Sequence, residues 1–261
     1  MDMRVWNGHF EWMMGAAALA VVGLGILSYE RPKPVAAAGG EPAPVLVELF
    51  TSEGCSSCPP ADALLAELDA KQPVAGARVI VLSEHVTYWN SGGWHDPFSS
   101  DAMTERQHNY AFRFGLSDVY TPQAVVDGAA QLVGSDGRGM LQAITKAAAT
   151  AKVELSLESV EVANGEVRFA VRGGDGKSQL TVALADDAAQ SNVLRGENGG
   201  RKLTHVAVVR ELETMGANAG DGRALKLKLP TGSGALRLVV FLTDRKSGRV
   251  VGLAERPVAR A

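Results

Sequence analysis

The stretch from Val45 to Leu68, VLVELFTSEGCSSCPPADALLAEL, constrains the fold more tightly than any other part of the chain. Val45, Leu46, Val47, Leu49 and Phe50 form an apolar run too short for a core helix, as in a central strand covered on both faces. Ala61, Leu64, Leu65 and Leu68 then recur at helical spacing. Between strand and helix lies Cys55-Ser56-Ser57-Cys58. That turn sits at a helix N-terminus, where unpaired backbone N–H groups and the macrodipole favour negative charge. A thiol placed there gives up its proton more readily, and the thiolate is the nucleophile. Two cysteines three positions apart across a first helical turn can also close into a disulfide. The stretch reads as a redox turn.

Composition narrows the alternatives. These are the only two cysteines among 261 residues, which excludes a structural-disulfide scaffold and a four-cysteine zinc site within one chain. A formal net charge of −3 provides no electrostatic reason to expect nucleic acid. There is no G-x-S-x-G elbow, phosphate loop or dinucleotide fingerprint. No cofactor is therefore expected, and electrons arrive by thiol exchange with another protein.

Ahead of the redox turn, Met13 to Leu27 is an uncharged run, and Trp12 to Tyr29 extends it. Its length suits a signal-peptide core, with Ala36-Ala37-Ala38 as an A-x-A-like cleavage site, or an uncleaved N-terminal anchor. Residues 1–29 are assigned to this segment and 30–43 to a Pro/Gly/Ala linker. Either reading delivers the rest of the chain across the inner membrane, periplasmic or secreted. The membrane is touched only through residues 12–29 if they stay attached.

After the redox helix, Ala77 to Leu82 reads as a second, parallel strand. Ser83 to Ser100 follows as a loop holding Trp89, Trp94, Tyr88, His85 and His95. Loops beyond the C-terminal ends of parallel strands are where α/β folds place their sites. Trp89, Trp94 and His85 are therefore expected to wall the redox turn as a substrate surface, the alternative being that Trp89, Trp94 and Phe98 roof the core. Ser100 to Gly115 reads as a helix, with Met103, Tyr110, Phe112 and Phe114 supplying apolar surface. Thr121-Pro122 opens a strand, Asp127-Gly128 signals a hairpin, and a last helix spans Gly139 to Ala151 behind Ser135 or Asp136. One α/β domain is thus expected over residues 44–151.

From Lys152 the pattern changes to period two. Val153-Leu155-Leu157, Val167-Phe169-Val171, Leu180-Val182-Leu184, Leu225-Leu227-Leu229 and Leu236-Leu238-Val240 alternate between turn signals. A small all-β, sandwich-like domain is expected over 152–261. Within it the Gly-rich string Asn192 to His205 is either a solvated turn with Arg–Glu pairing or a loop docked beside the redox turn, where Arg195 or His205 could act on a thiol.

The strand–CxxC–helix segment resembles the active-site segment of the thioredoxin superfamily. The string TSEGCSSCPPAD, and again residues 192–205, resemble the domain-of-unknown-function 1223 family of secreted bacterial proteins, itself thioredoxin-like. The resemblance implies a thioredoxin-like domain, a central mixed sheet flanked by helices, followed by the all-β region. It places Thr121-Pro122 where such proteins carry a cis-proline against the redox turn. Glu48 resembles their buried carboxylate, which moves protons for the inner cysteine; a locally paired carboxylate is the plainer reading. In the leading reading Cys55, at the exposed edge of the turn, attacks, and Cys58 resolves the mixed disulfide. The function expected is thiol-disulfide oxidoreductase, with protein thiols or disulfides and a redox-recycling protein as partners. Two alternatives are a copper or zinc module using Cys55, Cys58, His85 and His95, and a non-catalytic binding module.

Overall fold

The computed structural model describes residues 41–217, 223–228 and 234–259. The expected leader or anchor (1–29) and nearly all of the linker (30–40) lie outside the described residues. Strand β1 (Ala43–Thr51) is central, and its residues from Val45 onward are all buried, as its apolar run requires. It is flanked by parallel β2 (Ala77–His85) and antiparallel β3 (Gln123–Val126). Helix α1 (Pro59–Lys71) makes the crossover from β1 to β2. Alternation along β1 sends Val45, Val47 and Leu49 into the core beneath α1 and helix α3 (Gly137–Ala148). Leu46, Glu48 and Phe50 point to the other face, toward helix α2 (Asp101–Phe114).

Local signals set the helix ends. The Ser100 side chain accepts a bond from the Met103 N–H at 3.3 Å to open α2, and Gly115 closes it in the left-handed region. Asp136 accepts from the Gly139 N–H at 3.0 Å, so α3 starts two residues earlier than the sequence suggests. Phe112, expected in the apolar face of α2, is instead 88% exposed. Strand β4 (Ala130–Val133) pairs with β3 across Asp127-Gly128, whose φ angles of 49° and 59° are those of a tight hairpin. A Cβ at Gly128 would stand 2.2 Å from the Gly248 carbonyl oxygen, so only glycine fits.

Every period-two segment forms a strand. Those segments are β5 (Leu155–Ala163), β6 (Glu166–Gly173), β7 (Gln179–Asn192), β9 (Arg223–Lys228) and β10 (Leu236–Thr243), and the structure adds two strands not read from the sequence, β8 (Lys202–Ala217) and β11 (Val250–Val258). They do not make a free-standing sandwich, which is a correction to the expected architecture. Four of them extend the first sheet, giving eight strands in the order β11-β10-β7-β8-β2-β1-β3-β4, with β8 joined to β2 at Ser83 and Val208. Only β5, β6 and β9 form a second sheet. The three-stranded sheet covers Leu180, Leu184, Leu238 and Leu242 with Phe169 and Leu227. The opposite faces of β7 and β10 bury Ala183, Ala185, Val239 and Phe241 in a core continuous with Leu46, Ile80 and Met103. A strand apolar on both faces belongs in a central layer, which is why these strands join the mixed sheet. Residues 39–261 form one compact unit, so the expected boundary at 151 marks a change of secondary structure within it. No helix among the described residues is long and apolar enough to cross a membrane.

Candidate functional site

Cys55 and Cys58 form a disulfide, with Cα atoms 5.5 Å apart, where β1 gives way to α1. The turn is held by the Cys55 N–H on the Ser52 carbonyl (3.1 Å) and the Cys58 N–H on the Cys55 carbonyl (3.2 Å). Pro59 and Pro60 open the helix without N–H groups, and the next two donors, at Ala61 and Asp62, both bond the Cys58 carbonyl. The helix start thus offers a thiolate its dipole more than free donors. The one side-chain neighbour in hydrogen-bonding range is the Ser57 hydroxyl, 3.3 Å from Cys55 Sγ.

Both cysteines are fully buried, which corrects the expectation that Cys55 lies at an exposed edge. The cover comes from the loop between β7 and β8. Glu197 accepts the Ser56 N–H at 3.0 Å, and the Asn198 amide donates to the carbonyls of Glu53 (2.9 Å) and Cys55 (3.0 Å). Arg201 donates to the Asn198 amide oxygen at 2.7 Å and orients it. Gly196 has φ +78°, and a Cβ there would come within 3.2 Å of Trp94 Cβ and the Gly92 carbonyl oxygen. The docked reading of the 192–205 string therefore describes the molecule, although Arg195 is exposed and Glu197 serves the turn rather than an arginine.

Beneath the turn lies a buried polar cluster. Glu53 accepts bonds from Trp94 Nε1 (2.9 Å) and from the Ser191 hydroxyl, and lies 3.2 Å from His205 Nε2. Asp62, one helical turn beyond Cys58, accepts the Thr51 hydroxyl at 2.9 Å and stands 3.8 Å from His205 Nδ1. His85 Nδ1 is 2.7 Å from Asp96, which also accepts the Glu53 N–H at 2.8 Å. The two imidazoles meet edge to face, 4.7 Å between centroids. Burial works against ionising Glu53, but its bonds to His205, Ser191 and Trp94 outweigh it and hold the carboxyl below its usual range. Burial likewise opposes Asp96, yet His85 and two backbone N–H groups bring it down to about 2. For His85, burial disfavours the cation, and Asp96 more than compensates, so the imidazole is raised. At Asp62 burial wins over His205 and His85, and the carboxyl is raised.

The remaining expected site residues divide. The Thr121-Pro122 peptide is cis, and the Thr121 hydroxyl accepts Trp89 Nε1 at 2.7 Å. Trp89 and Trp94 are half-buried beside the turn, with their indole N–H groups committed to Thr121 and Glu53. His85 is wholly buried, so it supports the site from within instead of meeting a substrate. Glu48 is on the wrong face for the inner cysteine: it pairs with Arg106 Nε at 2.8 Å and accepts the Tyr110 hydroxyl at 2.5 Å, on the α2 side of β1. Even positions along a strand face away from odd ones, so no rotamer brings Glu48 to α1. His95 is exposed and apart from His85 in environment. Among the described residues no group of three or more His, Cys, Asp or Glu is placed to hold a metal ion, so the four proposed metal ligands are not brought together.

Sequence reasoning passed over Glu53, Asp62, Asp96 and Asn198. Glu53 and Asp62 lie inside the TSEGCSSCPPAD string, so acids flanking the cysteines were a readable signal. Asn198 approaches from 143 residues away, within the 192–205 string whose docked reading brings it to this turn, although nothing in the string singled out Asn198 itself.

No curated protein matches the chain. Among solved structures it resembles protein AGR_C_4864 from Agrobacterium tumefaciens at 30% identity, covering 81% of this chain and 92% of that one with a TM-score of 0.61. It shares its fold with HBP35 of Porphyromonas gingivalis at 14% identity, over 84% of this chain and 76% of that one, TM-score 0.53. Residues 46–243 match the family described as "Protein of unknown function (DUF1223)", and the chain belongs to that family.

Proposed function

We propose that the protein is a thiol-disulfide oxidoreductase whose residues 43–148 form a thioredoxin-like redox unit. The observation that carries this reading is the closed Cys55–Cys58 disulfide at the start of α1, directly after the central strand. In the oxidising direction a thiolate of a partner protein attacks one sulfur of the disulfide, and the Cys55–Cys58 bond breaks as a mixed disulfide forms. A second partner thiolate then attacks that mixed disulfide and leaves as the partner's new disulfide. Both cysteines end reduced, two electrons have moved from partner to site, and the reverse sequence reduces a partner. A redox-recycling protein resets the pair. Because Cys55 is buried under the Glu197–Asn198 loop, exchange requires that loop to lift from the turn. The uncharged run at residues 12–29, read as a signal-peptide core or anchor, supports an extracytoplasmic setting for this chemistry.

The full burial of Cys55 favours a second reading, a non-catalytic binding module in which the disulfide is a staple. One experiment separates the two. The full chain is equilibrated in thiol buffers of graded potential and scored by alkylation mass shift. The oxidoreductase reading expects a reversible two-electron couple between roughly −270 and −120 mV. A midpoint below about −300 mV, with reduction only on unfolding, marks a staple and overturns it.

A further inference from the structure

The sheet face beneath α2 changes character along its length. Near the helix, β7 and β10 present Ala183, Ala185, Val239 and Phe241, all buried. Two to four residues further along the same face, the side chains become polar: Thr181 and Gln179 on β7, Thr214 on β8 and Thr243 on β10. Thr181 and Thr214 are register partners with hydroxyls 3.4 Å apart. These groups floor a cleft of about 680 Å³, within the size range of small-molecule sites.

Its walls are cationic. Arg113 comes from α2, and Arg245 and Lys246 from the turn between β10 and β11. None of the three has a carboxylate partner among the described residues. Arg106 also reaches the cleft, but Glu48 and Glu84 already face its charge. Glu105 is the acid lining the cleft. Asp244, beside Arg245, is occupied by the Ser247 N–H and hydroxyl at 2.7 and 2.6 Å, which stiffens the turn that carries the cations. The two walls touch: a Cβ at Gly248 would lie 2.0 Å from Arg113 Nη1, so this glycine (φ +74°) makes room for the guanidinium. At the rim, exposed Phe112 offers an aromatic face to a carbon skeleton.

We propose that this cleft binds a small organic anion carrying two or more carboxylate or phosphate groups. Arg113, Arg245 and Lys246 meet the charges, the Gln179 amide and threonine hydroxyls fix orientation, and Phe112 packs on the carbon frame. Two arginine forks and an ammonium suit several oxyanion groups better than one. The site lies across the sheet from α1 and needs no redox chemistry.

The test is isothermal titration calorimetry on the full chain at fixed ionic strength, with citrate and fructose 1,6-bisphosphate as probes and sulfate as the control anion. At least one organic probe is expected to bind with millimolar or tighter affinity and to outcompete sulfate. Arg245→Ala should weaken it at least about tenfold. Arg138→Ala removes the same charge from an exposed site on α3 and should change affinity less than about twofold. Preference for citrate assigns a polycarboxylate and preference for the bisphosphate a phosphorylated ligand; either supports the site. Absence of binding by both probes at about 10 mM overturns the proposal. So does equal weakening by Arg245→Ala and Arg138→Ala, which would mean diffuse charge.

Discussion

Strand β1 carries a buried polar cluster on each face, and the two are built for different purposes. Toward α2, Glu48 and Glu84 share Arg106, with Tyr110 closing the group. Burial, with Glu48 adding to it against the pull of Arg106, holds the Glu84 carboxyl well above its usual range. That cluster has one cation for two acids, and its charges are spent on one another. Toward α1, Glu53, Asp62, His85, Asp96 and His205 gather beneath the Cys55–Cys58 turn. There the ring nitrogens His85 Nε2 and His205 Nδ1 are buried without a hydrogen bond. On the α2 side both Glu84 carboxyl oxygens are likewise buried without a hydrogen bond, so an unpaired buried atom costs stability on either face and singles out neither. Charge burial alone, then, does not identify a site. What separates the clusters is which one adjoins the Cys55–Cys58 disulfide.

The largest expected difference is chemical. Cys58→Ser should abolish the two-electron couple and leave Cys55 to accumulate as a mixed disulfide, seen as an adduct by mass spectrometry. Arg106→Met, on the other face, should leave the midpoint unchanged; a shifted midpoint in that variant would break the comparison. Its cost should fall on folding instead. Removing the cation strands two buried carboxyl groups, at about 3–5 kcal/mol in denaturant unfolding, and a loss below about 1 kcal/mol would show that the cluster relaxes.

Acid should act through the α1 face. Asp96 titrates near 2 in the folded chain against an ordinary value near 4, so its contribution is present above about pH 4 and lost as pH falls through about 2. It amounts to about 2 kcal/mol. On the alkaline side the His85 contribution, raised by Asp96, is complete below about 6.5 and declines as pH rises through the raised value. Glu84 has the opposite sign to Asp96, since a raised carboxyl stabilises at low pH and loses that as pH rises. Unfolding of Asp96→Asn between pH 2 and 4 should show a shallower acid slope than the parent, with Glu53 supplying part of what remains; an unchanged slope would assign it elsewhere.

The smallest effect sharpens the picture of the loop. Asn198→Ala removes two bonds to the carbonyls of Glu53 and Cys55, costing about 1–3 kcal/mol if those groups stay dry. Reduction of the disulfide by a small thiol should then be faster than in the parent. An unchanged rate would mean that the loop does not govern access.

Some of this was legible in residues near one another in sequence. The helix between Ser100 and Gly115, the Asp127-Gly128 turn and the alternation of Leu180-Val182-Leu184 each act within a few positions and each appears as read, and of the two caps offered for α3 the structure uses Asp136. The cysteine pair showed its place at a helix start for the same reason. Of the two readings of Glu48, strand parity selects the locally paired one, since it turns the carboxylate to the α2 face and Arg106, which the residues around it in sequence do not reveal. The β region was read as separate because alternation reports a strand's faces without naming the sheet that receives it.

By itself the sequence determined the elements, their ends and the chemistry available at Cys55 and Cys58, because capping, turn geometry and side-chain period are short-range forces. Only the tertiary structure decided that β8 docks on β2, that His205 comes between Glu53 and Asp62, and that Asn198 covers Cys55. Those contacts join residues more than 120 positions apart, and their free energy depends on the whole sheet having assembled around them.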